Sequence, residues 1–84
     1  MFVNEEERIE RLSEKEQEIM RFWTFCVERF KVRHGIAGLA AGILFSKNGI
    51  FKFLACNFEV EHILDAEQIV DDIDRILKRK GALI

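Results

Sequence analysis

Asn48-Gly49 sits between two long apolar runs, and that placement narrows the fold more than any other feature of the chain. The runs cover residues 36–46 and 50–60, and Lys47-Asn48-Gly49 separates them. Asn-Gly between apolar runs signals a β-hairpin, because a type I′ turn needs positive φ at both central residues. With Asn48-Gly49 as that turn, Lys47 pairs with Ile50 and the register follows. Leu39, Ala41, Ile43 and Phe45 then share a face with Lys52, Leu54, Cys56 and Phe58. Gly38, Ala40, Gly42 and Leu44 share the opposite face with Phe51, Phe53, Ala55 and Asn57. Neither face is polar, so both need cover. A two-stranded hairpin is marginal by itself, so helices must pack on one face and something else on the other.

The flanks supply the helices. Asn4 with Glu7 has the spacing of a capping box, and so has Ser13 with Glu16. Ile19, Trp23, Cys26 and Phe30 repeat at three and four, joined by Met20 and Val27, with Ile9 and Leu12 extending the stripe backwards. Gly35 is free to end this helix in the left-handed conformation. Near the other terminus Asp65 caps a second helix with Gln68 three residues on. Ile69, Val70, Ile73, Ile76 and Leu77 form its apolar stripe, and Gly81 stops it. The expected fold is therefore α+β: a long N-terminal helix, an antiparallel hairpin and a C-terminal helix, completed by dimerisation. One small domain spans 1–84, with residues 1–12 as a separate or frayed N-terminal turn if the helix starts at Ser13.

The chain has 84 residues, of which 49% are hydrophobic. That is too apolar for a disordered polar tail and too short for a second domain. The acidic start lacks the basic patch and apolar run of an export signal. The longest uncharged stretch, residues 34–46, falls short of the ~20 residues a helix needs to cross a bilayer. The expectation is a cytoplasmic protein with no membrane partner.

Charge is unevenly placed. Residues 1–28 hold eight acids and four bases, net −4; residues 59–84 hold seven and four, net −3. Between them, residues 29–58 hold Arg29, Lys31, Arg33, Lys47 and Lys52 and no acid, net +5. An acid-free segment of this kind meets a polyanion, or matches the acidic ends of its own fold or of a second subunit.

Constellations for catalysis or metal binding are lacking. Cys26, Cys56, His34 and His62 occur in neither CxxC nor HxxxH spacing. Both cysteines lie among apolar residues and read as small buried hydrophobes. Ser13 and Ser46 have no nearby His in sequence, and no glycine loop resembles a phosphate cradle. Glu59 and Glu61 alternate with Phe58, Val60 and His62 as in a solvated strand edge. No cofactor, metal or enzymatic activity is expected.

Two faint likenesses fall in the middle of the chain. Residues 36–42 followed by 46–51 faintly resemble the helix-turn-helix of tetracycline-repressor-type regulators, with a turn longer than that motif allows. Residues 38–54 are as faintly similar to the strand pair of roadblock-type dimerisation domains. Neither implies membership. The functional expectation is a small dimeric interaction module, an adaptor or regulator that binds another protein. Phe22, Leu44, Phe51 and Phe53 are its candidate self-association residues. The alternative is a nucleic-acid-binding regulator using Arg29, Lys31, Arg33, Lys47 and Lys52, with Phe30, Phe51 and Phe53 interleaved.

Overall fold

The computed structural model describes residues 13–82. The expected Asn4–Glu7 cap, the stripe positions Ile9 and Leu12, and the turn over 1–12 lie outside them. The described residues form helices throughout: α1 Glu14–His34, α2 Gly38–Lys47, α3 Ile50–Cys56, α4 Phe58–Glu61 and α5 Ala66–Arg79. Among the described residues there is no strand, so the fold is all-α and the expected α+β architecture with its β-hairpin is wrong.

The Asn48-Gly49 step shows why. Gly49 has positive φ (69°), but Asn48 lies at φ −112°, outside the type I′ requirement. Asn48 instead closes α2: its side-chain amide donates to the Leu44 carbonyl at 2.8 Å. The Gly49 carbonyl in turn accepts from the Phe53 N–H at 3.0 Å and opens α3. Asn57 repeats the device, donating from its side chain to the Phe53 carbonyl at 2.9 Å before α4 begins. The apolar runs are helical in period as well. Ala41 and Phe45, then Ile50, Leu54 and Phe58, recur every four residues and are the buried ones. Helices α2 and α3 meet at a bend of 73°. No single described helix is long and apolar enough to cross a membrane.

The flanking helices follow the sequence. Ser13 Oγ accepts from the Glu16 N–H at 3.1 Å and donates to the Glu16 carboxylate, so the capping box at Ser13 starts α1. Gly35 ends it at φ 61°, ψ 38°. Asp65 Oδ1 accepts from the Gln68 N–H at 2.9 Å and starts α5. Gly81, at φ 69°, follows its end.

α1 is the spine against which α2, α3 and α5 pack. Phe22, Cys26 and Phe30 line its inner stripe, facing Ala41 and Phe45 of α2, Ile50 and Leu54 of α3, and Ile69, Val70, Ile73 and Leu77 of α5. Aromatic rings tie α1 to the middle helices. Phe30 meets Phe45 edge-on at 5.1 Å, Phe45 meets Phe51 at 5.5 Å, and Phe51 meets Trp23 at 5.2 Å. The Trp23 indole N–H donates to the Phe51 carbonyl at 3.0 Å.

Candidate interaction surface

α2 carries no charge before Lys47, and a helix apolar on every side is normally covered on every side. Here it buries Ala41 and Phe45 but leaves Leu39 78% and Ile43 46% exposed, one turn apart. The sequence reading put Leu39 and Ile43 on one sheet face with Ala41 and Phe45. In a helix they turn away from Ala41 and Phe45 and face outwards.

The ends of this face differ in charge. Lys47 is exposed at the C-terminal end of α2. At the other end the Lys31 stem lies beside Gly38, 3.8 Å from the position of a Cβ there. Lys31 Nζ pairs with Glu28 at 2.9 Å, and that carboxylate is more than half exposed. A basic end and an end bearing the Lys31–Glu28 ion pair thus flank an apolar strip.

An open groove of about 280 Å³ lies between α1 and α3, lined by Glu16, Ile19, Met20, Trp23 and Ala55. A second, of about 400 Å³, is lined by Phe53, Ile76, Arg79 and Lys80.

The expected self-association residues are dispersed. Phe22 is a core residue, 9% exposed and edge-on to Phe58 at 5.5 Å, so it has no surface to offer. Leu44, Phe51 and Phe53 are half-buried and pack on the core, with Phe53 also lining the second groove.

The basic segment is not a single patch either. Arg33 reaches across to α5, bonding Asp71 at 2.6 Å, Glu67 at 2.7 Å and Asp74 at 3.3 Å. These carboxylates hold its guanidinium well above its ordinary pKa, the Asp71 hydrogen bond most strongly. His34 bonds the same Asp74 at 2.8 Å, and its ring stands 4.3 Å from that of Phe30. Arg33 and Lys31 therefore serve the fold. Arg29, Lys47 and Lys52 stay exposed, Arg29 on α1 and the two lysines either side of the Asn48-Gly49 link.

Two titratable residues depart from their sequence reading. Cys56 is exposed, whereas Cys26 is buried as expected, and burial pushes its thiol up to about 12. Glu61 is 5% exposed rather than solvated, while Glu59 is exposed and ion-paired with Lys15, which lowers its pKa. The missed signal was the spacing Ile50, Leu54, Phe58, Glu61, which puts Glu61 on the buried stripe of a helical path. Among the described residues no three His, Cys, Asp or Glu side chains gather as metal ligands.

Comparison with curated proteins and with solved structures gave no match. A family described as "Protein of unknown function (DUF3791)" matches residues 21–80. The matched stretch starts inside α1, one residue before the first core phenylalanine, and ends at the cap of α5. It takes in α2 and both of its flanks, so the exposed strip is part of the shared domain. With well over half of its length matched, the chain belongs to the DUF3791 family.

Proposed function

We propose that this protein is a non-catalytic interaction module that acts as a homodimer, joined through the outer face of α2. The observation that carries the reading is the exposure of Leu39 and Ile43 on a helix uncharged from Gly38 to Ser46. A two-fold axis across that face is self-complementary. With the axis perpendicular to α2, the two helices run antiparallel and their dipoles oppose. Each Lys47 then approaches the end of the other α2 where the Lys31–Glu28 ion pair stands, and the two Lys47 side chains stay apart. The face is small, so the complex is of the weak class, in the micromolar range. The paired core leaves the grooves and the rest of α1 free for a further protein.

Sedimentation equilibrium of the full chain across the micromolar range tests this. The expected result is a monomer–dimer equilibrium that Leu39→Glu and Ile43→Glu each shift to monomer, with the helical circular dichroism retained. A wild-type monomer throughout that range sinks the dimer. Nucleic-acid binding is the weaker reading, since Lys31 and Arg33 already bond carboxylates of the same fold.

A further inference from the structure

The groove between α1 and α3 begins in the first turn of α1. Glu16, three residues after the Ser13 cap, lines it, and Ile19, Met20 and Trp23 carry it along one face of the helix beside Ala55 of α3. Apart from Glu16 every lining residue is apolar, and Met20 is 44% exposed. The Trp23 indole N–H is already satisfied by the Phe51 carbonyl, so the ring needs no polar partner from an occupant. An open apolar strip of this kind marks a surface that something covers.

The chain itself supplies the apolar residues to cover it. Met1, Phe2, Val3, Ile9 and Leu12 all precede Ser13. The spacing of Ile9 and Leu12 would align them with the stripe of α1 if that helix ran on backwards. Ser13, however, has the extended angles of a helix cap, φ −66° and ψ 161°, so α1 does not continue past it. Ile9 and Leu12 therefore need another surface.

Reach and charge both favour the groove. Trp23 stands ten residues from Ser13, about 15 Å along the axis of α1, and twelve residues span about 18 Å even when wound as a helix. Arg8 and Arg11, with Glu10 between them, come at the end of the segment next to Glu16. Glu5, Glu6 and Glu7 come at the far end. There Lys52 stands one turn before Ala55 on α3, exposed and in no ion pair among the described residues.

We propose that residues 1–12 fold back at Ser13 and dock in this groove, with Ile9 and Leu12 against Ile19, Met20 and Trp23 and the glutamates toward Lys52. The segment covers the groove of its own chain and is independent of the α2 contact. A further protein that takes the groove displaces it.

Trp23 is the only tryptophan of the chain and so reports on the groove alone. Nuclear Overhauser spectroscopy of the full chain is expected to show contacts from the Trp23 indole to the Ile9 or Leu12 methyls. The double variant Ile9→Ser with Leu12→Ser is expected to shift the tryptophan emission to the red and to raise its quenching by acrylamide. The Phe30–Phe45 contact of the core is expected to persist in it. Met20→Glu spoils the groove from the other side and is expected to abolish the Ile9 and Leu12 contacts with residues 1–12 left intact. A sample mixed from isotope-labelled and unlabelled chains identifies whose segment is seen. Contacts found only between copies overturn the proposal, because a second chain then fills the groove. The absence of any Ile9 or Leu12 contact to Trp23 overturns it too, as does unchanged emission in the double variant.

Discussion

The two cysteines show how position along a helix sets chemistry. Cys26 stands on the inner stripe of α1, fully buried, four residues from both Phe22 and Phe30. Desolvation, with a smaller push from Glu61, raises its thiol to about 12, so at neutral pH it is a protonated apolar filler. Cys56 closes α3 with its side chain exposed. Thiolate is the reactive form, and access is needed as well. In the native protein at about pH 8, a disulfide-exchange reagent is expected to modify one thiol, Cys56, and to reach Cys26 only after denaturation. Cys56→Ser is expected to leave no fast-reacting thiol; fast modification of that variant contradicts the burial of Cys26. Sequence alone gave both cysteines the same apolar neighbours, and only the helical phase separates them.

At the scale of the element, the link between α2 and α3 is the most exacting piece of backbone. Gly49 sits at φ 69°, ψ 20°, where a Cβ meets nothing closer than the flexible Lys80 amine at 3.6 Å. Space is therefore not the obstacle to a side chain; the left-handed conformation is. Gly49→Ala is expected to cost about 1 kcal/mol. Asn48→Ala loses the bond to the Leu44 carbonyl and is expected to cost a similar amount, about 0.5–1.5 kcal/mol. Urea denaturation followed at the helix band measures both, and no change for Gly49→Ala contradicts the conformation. This link also shows where the sequence stopped being legible. Ser13–Glu16, Gly35, Asp65–Gln68 and Gly81 are punctuation for helices alone, and α1 and α5 were readable from them. Asn-Gly serves two ends, since Asn caps a helix through its own carboxamide and Gly takes the left-handed turn in either fold. The runs beside it carry almost no polar residue, so no alternation between wet and dry faces could arbitrate between periods of two and of 3.6. The four-residue recurrence of Ile50, Leu54 and Phe58 held the answer, together with the alanines of α2, which favour helix over strand. The same misphasing hid the surface: read as strand, Leu39 and Ile43 shared a face with Ala41 and Phe45, and Glu61 faced water.

For the whole molecule, the described chain measures 46 × 25 × 21 Å and is built on one long helix. Arg33 and His34 fasten the end of that helix to Asp74 and its neighbours on α5, while aromatic rings fasten α2 and α3 to its middle. A domain of this size has a thin stability margin from a single core. Covering Leu39 and Ile43 in a second copy adds to that margin, and mass action makes the addition visible. For a dimer that unfolds to two monomers, a tenfold rise in protein concentration contributes about 1.4 kcal/mol per dimer, half of it per chain. Since about 1 kcal/mol shifts the melting midpoint of a domain this small by roughly 4–8 °C, the midpoint is expected to climb about 3–6 °C per tenfold rise in concentration well above the dissociation constant, and to level off well below it. Leu39→Glu is expected to melt at one temperature whatever its concentration, matching the dilute limit of the wild type, because an exposed residue contributes little to the isolated fold. A variant that instead melts well below that limit means that Leu39 supports the monomer itself. In that case the strip along α2 belongs to the core of one chain and not to a contact between two.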